Sequence, residues 1–261
     1  SRILKQFTEE FKAEEPWPDD AVLYQPCDAL KILLAENASC LAVRTFLKMC
    51  KLPYKVETRA NAEFMSPGGK MTKLPVLKAG AFVVSEFEQI VNLLEHKGHS
   101  LNSFLDDDQK NDMRAHMLLV ENIFTHAELY ISFLDEEVYD TITSQRYSFG
   151  YPWPLNHYQN WRKRQQVLRQ LRVFGWYDLT MDEVVEKVRK CCEALSNKLE
   201  DRLYFFENPT EFDAITFGHL FTILTTKLPN EALAGQVRQF SSLTRFCDNI
   251  DTQYFKKKAK E

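Results

Sequence analysis

The sequence contains no apolar run long enough to cross a membrane. A transmembrane helix needs about 20 consecutive apolar residues, and no stretch of this 261-residue chain approaches that length. The stretch SRILKQFTEEFKAEEPWPDD at residues 1–20 is amphipathic and rich in charge, unlike a secretory signal peptide. We therefore expect any attachment to a membrane to depend on a partner or on surface charge.

An excess of positive charge is also lacking. The 33 lysine and arginine residues are outnumbered by 37 aspartate and glutamate residues, so the formal net charge is −4. Proteins that bind nucleic acids attract them through a basic field. The composition therefore argues against a nucleic-acid partner.

Cysteine motifs are absent as well. No two cysteines form a CxxC pair, and no histidine stands near them at the spacing of a zinc site. We expect no metal site and no disulfide framework. We interpret the six cysteines as reduced and buried thiols, namely Cys27, Cys40, Cys50, Cys191, Cys192 and Cys247.

The first hundred residues alternate between strand and helix patterns. Hydrophobic spacing and turn residues predict, in order, a strand at 21–26, a helix at 38–51, a strand at 54–59, a hairpin turning at Ala79-Gly80 and a helix at 86–96. Asn37 or Ser39 is the predicted N-cap of the first helix. A small mixed sheet with helices is typical of a thioredoxin-like domain.

From about residue 106 onward the pattern is helical almost throughout. The predicted helices span 106–135, 136–146, 157–174, 181–201, 211–227 and 231–255. We therefore predict an α+β protein with an N-terminal extension (1–19), a thioredoxin-like domain (20–97), an all-helical C-terminal domain (106–255) and a basic tail (256–261).

Three residues have predicted structural roles. Pro75 opens the first hairpin strand, and we predict a cis peptide bond before it, because proline adopts that isomer at a cost of only about 0.5–1 kcal/mol. Thr210 and Asp213 have the T-x-x-acid spacing of a capping box, which nucleates a helix.

Several segments resemble known families. The strings LPYKVE, KLPVLKAGAFVVSEFEQIVNLL and PTEFDAITFGHLF resemble the glutathione transferase superfamily along nearly the whole chain. Within it, four strings look like the metaxins, most closely the paralogue without a C-terminal membrane anchor: EPWP (15–18), RANAEFMSPGGK (59–70), YPWPLNHY (151–158) and FGHLFTILTT (217–226). The resemblance implies a glutathione-transferase-like fold.

At the positions of a glutathione site, the residues depart from the superfamily pattern. The Ser- or Cys-Pro motif of the superfamily aligns with Asn37-Ala38, which offers no thiol. The backbone edge beside Pro75 persists, but the acid Glu86 is followed by Phe87 where the superfamily has serine. We interpret the site as degenerate, with no catalytic residue and no cofactor.

An enzyme is the alternative interpretation. Tyr24, Ser39 or Cys40 would be the nucleophile of an active transferase, and Cys40 or Cys27 that of a glutathione-dependent redox protein. Tyrosines in strands and lone cysteines at helix starts are more often packing residues.

An aromatic, proline-rich segment suggests a partner. YPWPLNHYQNW (151–161) is either an ordered plug of the core or an exposed anchor for another protein, with Tyr151, Trp153 and Trp161 as the anchors. The helix at 157–174 that overlaps this segment carries a basic face, which is either solvated or directed at an acidic partner or lipid headgroups: Arg162, Lys163, Arg164, Arg169 and Arg172.

The resemblance also implies a function. It implies a non-catalytic scaffold on the cytosolic face of the mitochondrial outer membrane, peripheral to the bilayer and bound to an anchored metaxin paralogue. It further implies a role with the machinery that assembles outer-membrane β-barrel proteins and with adaptors of mitochondrial transport.

Overall fold

Four short strands form one mixed sheet in the computed structural model, which describes residues 17–26, 33–59, 74–149 and 151–256. The strands are β1 (Val22–Pro26), β2 (Lys55–Arg59), β3 (Val76–Ala79) and β4 (Phe82–Ser85). Their order across the sheet is β2-β1-β3-β4, with β1 parallel to β2 and antiparallel to β3. The β3–β4 hairpin turns at Gly80, whose φ of +61° favours glycine.

Most of the remaining described residues are helical. The first helix lies between β1 and β2, and the second follows β4. In chain order the α-helices are α1 (Leu34–Met49), α2 (Phe87–His96), α3 (Asp107–Phe133), α4 (Glu136–Val138), α5 (Ser144–Ser148), α6 (Leu155–Val173), α7 (Met181–Leu199), α8 (Glu211–Thr225), α9 (Ala232–Arg238) and α10 (Ser241–Ile250). Two π-helical turns, Tyr139–Thr143 and Asp251–Phe255, continue α4 and α10.

The predicted α+β architecture is confirmed, with two corrections in its helical half. The helix predicted at 231–255 is divided into α9 and α10, because the extended backbone of Phe240 interrupts it. Buried apolar residues on both sides of the break, such as Val237 and Leu243, preserve the helical period, so the sequence does not reveal the interruption. The helix predicted at 136–146 consists of α4, a π-helical turn and α5.

Helix α8 joins the two halves of the molecule. It is apolar on nearly every side, which is the pattern of a helix buried within a core. Gly218 of α8 lies against α1 so closely that a Cβ there would stand 2.5 Å from the carbonyl oxygen of Ala38 and 2.9 Å from the Cβ of Ala42. We call this contact of Ala38, Ala42 and Gly218 the α1–α8 seam.

Within the described ranges, no helix combines the length and apolar character needed to cross a bilayer. The basic tail predicted at 256–261 lies outside the described residues except for Lys256, whose ammonium group is 3.2 Å from the Asp251 carboxylate.

Candidate functional site

The start of α1, where a transferase places its nucleophile, differs from the sequence prediction. The helix begins at Leu34 after the extended N-cap Leu33, and no side chain caps it. The backbone N–H of Asn37 already donates to the carbonyl oxygen of Leu33 at 2.8 Å. The predicted cap at Asn37 or Ser39 is therefore wrong. Burial of the apolar pair Leu33 and Leu34 fixes the helix start one turn earlier than capping propensity indicates.

The candidate nucleophiles of this region are poorly placed for chemistry. Cys40 is buried in α1, and burial raises the pKa of its thiol far above the ordinary value, with a further upward contribution from Glu36 that Arg44 opposes. Such a thiol stays protonated and unreactive at neutral pH. Tyr24 is buried in β1, with the Arg59 guanidinium 5.2 Å from its ring centroid. Ser39 is half-buried, and Cys27 lies outside the described residues.

The cis-proline edge is present beside these residues. The Leu74–Pro75 peptide bond is cis, which confirms the prediction, and Pro75 is buried directly before β3. In the ladder between β1 and β3, Tyr24 pairs with Val76. This corner of the sheet therefore combines a cis-proline with the ladder between β1 and β3.

The residue expected to be serine in an active transferase is packed in the core. Phe87 stands at the start of α2, and its ring is only 5% exposed and lies 5.8 Å from the ring of Phe46 in α1. Glu86, just before it, is exposed, and its φ of +71° and ψ of 144° lie in a region that favours glycine. At this position the chain therefore offers a core aromatic ring instead of a hydroxyl.

Glutamate side chains lie close together beside the start of α2. Burial raises the pKa of Glu121 in α3, and the carboxylates of Glu88 and Glu86 raise it further against the opposing effect of His219. Three carboxylates thus share one neighbourhood.

A buried ion pair joins α3 to α8 nearby. The Nδ1 atom of His219 is 2.8 Å from Oε1 of Glu128, and the ring of Phe124 stacks on the imidazole. Burial lowers the pKa of His219, but Glu128 outweighs that effect and the net shift is upward. The pair is a packed element of the core.

The capping box at the start of α8 is also built as predicted. The carboxylate of Asp213 accepts hydrogen bonds from the backbone N–H of Thr210 at 2.8 Å and from its hydroxyl at 2.7 Å. The other oxygen accepts from the N–H of Phe205 at 2.9 Å. Burial raises the pKa of Asp213 to about 6, against the opposing effect of these bonds.

The aromatic segment at 151–161 is largely exposed. The side chain of Trp153 is 79% exposed and that of Trp161 is 59% exposed, so the interpretation as a core plug fails for both. Tyr151 is half-buried. Phe149 is also exposed, but it lies just outside the proline-rich string and was not predicted from the sequence. A role in binding a partner protein stays a prediction.

The basic face of α6 is only partly available. Lys163 lies 3.6 Å from the carboxylate of Glu36, and Arg164 donates to the carbonyl oxygen of Phe133 at 3.2 Å while covering the ring of Tyr139. Arg172 covers the ring of Tyr177. Arg162 and Arg169 have exposed side chains, so the outward charge is smaller than the sequence suggests.

Comparison with solved structures identifies the fold. The glutathione transferase GSTFuA2 of Phanerochaete chrysosporium matches 92% of this chain and 99% of its own with a TM-score of 0.60 and 14% identity. A glutathione S-transferase of Ceriporiopsis subvermispora in complex with glutathione matches 92% of this chain and 100% of its own with a TM-score of 0.59 and 13% identity. The fold is therefore glutathione-transferase-like.

Sequence comparison identifies the family. The family described as "Outer mitochondrial membrane transport complex protein" (Tom37) matches residues 40–164, and that described as "Glutathione S-transferase, C-terminal domain" matches residues 188–250. Metaxin-1 of Mus musculus is 28% identical over 223 residues, which cover 82% of this chain and 69% of that protein. Metaxin-2 of Homo sapiens is 46% identical over 261 residues, which cover 100% of this chain and 98% of that protein. The chain belongs to the metaxin family.

Proposed function

We propose that this chain is a non-catalytic scaffold of a protein transport complex at the mitochondrial outer membrane. The observation that carries the proposal is the match over the full length to Metaxin-2, together with the match of residues 40–164 to a family of outer-membrane transport complex proteins. A fold alone does not determine a function. The proposal therefore depends on the family and on the state of the former glutathione site.

The state of that site supports a non-catalytic role. An active transferase stabilises a thiolate at the first helix and holds the γ-glutamyl end of glutathione through an acid and a serine. In this chain the first helix begins with buried leucines, and Phe87 faces the core against Phe46.

The proposed partners follow from the family. We propose a heteromer with an anchored metaxin paralogue on the cytosolic face, working with the machinery that assembles outer-membrane β-barrel proteins. We extend the proposal to adaptors of mitochondrial transport. The likeness to Metaxin-1 indicates that paralogues of this chain share most of its length, which is compatible with a pair of similar subunits.

The test uses cells depleted of this chain. Depletion should slow the insertion of newly made β-barrel proteins into the outer membrane, while import of a matrix-targeted precursor should continue. The wild-type chain should restore insertion and co-purify with the anchored paralogue. Added protease should degrade the chain in intact mitochondria. Unchanged β-barrel insertion after depletion would refute the proposed function.

A matched variant tests the absence of catalysis. The triple variant Tyr24→Phe, Ser39→Ala and Cys40→Ala removes every candidate nucleophile among the described residues with small changes of volume. It should restore insertion as well as the wild-type chain does. Calorimetry on the purified protein should detect no glutathione binding, and a dissociation constant below about 1 mM, or roughly −4 kcal/mol, would favour the transferase or redox alternative.

A further inference from the structure

We infer that the exposed aromatic end of α6 binds the headgroup region of an anionic phospholipid bilayer. The site consists of five side chains, Phe149, Trp153, Leu155, Tyr158 and Trp161, which we call the aromatic surface. The inference rests on the proposed location at the outer membrane. It assigns to this chain a direct contact with lipid that does not require the anchored paralogue.

The first argument is the amount of apolar surface left in solvent. Phe149 is 61% exposed, Trp153 79%, Tyr158 56%, Trp161 59% and Leu155 41%. Aromatic side chains carry about 150–250 Å² each, so this group exposes on the order of 600 Å². Exposed apolar area of this size within one short segment usually marks a binding site.

The second argument is the kind of side chain that is exposed. Tryptophan and tyrosine combine an apolar ring with a polar tip, and both are enriched where a bilayer meets water. The rings of Tyr158 and Trp161 lie side by side, with centroids 6.2 Å apart on adjacent turns of α6. Because these rings are so exposed, they project from the surface. Projecting rings can insert into a fluid lipid layer, whereas a protein partner would need a preformed pocket for each of them.

The third argument is the position of positive charge along the same helix. Arg162 lies one turn after Tyr158 on the same face, and Arg169 lies two turns further, both with exposed side chains. Arg162 directly follows Trp161 and is about 6 Å along the helix axis from Tyr158. The polar region of one leaflet is roughly 5–8 Å thick. With the ring of Tyr158 at the edge of the hydrocarbon, Arg162 would therefore lie near the phosphates.

A protein partner is the competing occupant. The sequence predicts a contact of this kind through Tyr151, Trp153 and Trp161, but Tyr151 is half-buried and exposes less of its ring than the two tryptophans do. Lys163 and Arg164 are held by groups of this chain, whereas Arg162 and Arg169 are exposed on the helix that carries Tyr158 and Trp161. Exposed rings beside exposed arginines match the hydrocarbon and phosphate layers that adjoin in a bilayer.

The experiment uses the purified full chain and vesicles without other protein. The chain should co-sediment with vesicles of phosphatidylcholine that contain about 30 mol% phosphatidylinositol. Less of it should co-sediment with vesicles of phosphatidylcholine alone, because anionic lipid attracts the arginines. Lipids brominated in the acyl chain should quench tryptophan emission. Quenching should be lost in Trp153→Phe with Trp161→Phe, which leaves Trp17 and the buried Trp176 as reporters.

Matched variants separate the two contributions. Trp153→Ala with Trp161→Ala should weaken vesicle binding about tenfold or more, and Arg162→Gln should weaken it about fivefold on anionic vesicles only. Leu203→Ala is the control, since Leu203 is 60% exposed outside the aromatic surface. It should bind as the wild-type chain does.

Two outcomes would overturn the inference. One is that the wild-type chain fails to bind anionic vesicles. If the tryptophan variant then also loses co-purification with the anchored paralogue, the surface binds a protein. The other is that the chain binds anionic vesicles equally well without the two tryptophans. Failure of the β-barrel insertion test would instead refute the proposed function and leave the vesicle result standing.

Discussion

At the α1–α8 seam, two helices approach so closely that Gly218 leaves no space for a methyl group, whereas at the start of α6 the rings of Trp153 and Trp161 stand mostly in solvent. The chain thus buries one apolar region completely and leaves another exposed to solvent. Close packing of the interior is the rule for folded proteins. Folding does not explain a group of exposed tryptophans, which indicates that they bind another molecule.

The corner formed by Pro75 and the start of α2 is buried like the seam. Its proline follows a cis peptide bond, and the ring of Phe87 lies in the core next to Phe46. Phe87 is thus part of the packing between α1 and α2. At this corner an aromatic ring is packed inside, whereas at the aromatic surface the rings stand in solvent.

The largest expected effect is at Phe87. Replacing a buried phenylalanine by a small residue costs about 3–5 kcal/mol, so we expect Phe87→Ser to reduce the free energy of unfolding by about 4 kcal/mol. It should not create glutathione binding, since the nucleophile is absent as well. Chemical denaturation and calorimetry check both points. Phe104→Ser, at a 40% exposed ring, is the control and should cost about 1 kcal/mol.

A pH titration tests the capping box that begins α8. The pKa of Asp213 is raised from 3.8 to about 6 by burial, so the folded state binds the proton more tightly than the unfolded state does. Its contribution to stability is complete below about pH 4 and is lost as pH rises through about 6. Relative to Asp213→Asn, the wild-type chain should lose on the order of 2–3 kcal/mol between pH 4 and 7. If the free energies of unfolding of the wild-type chain and of Asp213→Asn changed in parallel with pH, the raised pKa of Asp213 would be contradicted.

The seam itself gives a smaller but cleaner test. Gly218→Ala places a methyl group against the backbone of Ala38, and overpacking of this kind costs about 1–3 kcal/mol. We expect a loss of about 2 kcal/mol by thermal or chemical denaturation. Gly235→Ala in α9 is the matched control, since a Cβ there meets nothing within 4 Å. It should gain roughly 0.5–1 kcal/mol through helix propensity, and equal effects at the two glycines would show that the seam is not tight.

Backbone strain before α2 predicts a stabilising substitution. The positive φ of Glu86 is unfavourable for a residue with a Cβ. Glu86→Gly should therefore raise the free energy of unfolding by about 1 kcal/mol. Glu88→Gly, inside α2, should instead lower it by about 1 kcal/mol. A loss of stability in Glu86→Gly would mean that its side chain makes a contribution larger than the strain.

The fold was predictable because its signals are local and repeated. The strand pattern of residues 21–26, the turn at Gly80 and the T-x-x-D spacing at Thr210 each identify an element without tertiary information. The start of α1 was not predictable in this way. Capping propensity favours Asn37 or Ser39, but burial of Leu33 and Leu34 outweighs it.

The candidate site was predictable only in part. The loss of the serine is visible in the sequence at Phe87, but the direction of its ring toward Phe46 depends on packing between helices. The density of aromatics identified the segment of Trp153 and Trp161, yet their exposure depends on how this segment and the first turns of α6 pack against the core. The close approach at Gly218 has no signal in the sequence, since a glycine within a helix ordinarily indicates only low helix propensity.

The smallest expected effect on stability is at the aromatic surface. Trp153 and Trp161 are mostly exposed, and surface substitutions outside specific contacts usually change the free energy of unfolding by no more than about 0.5 kcal/mol. We therefore expect Trp153→Ala and Trp161→Ala each to unfold at nearly the denaturant concentration of the wild-type chain. Trp176→Ala is the matched comparison, because Trp176 is 4% exposed and packs against His126, with ring centroids 5.5 Å apart. That variant should lose about 4 kcal/mol. A similar loss at Trp153 would mean that the ring supports the fold, and it would remove the reason to seek a contact for it outside the chain.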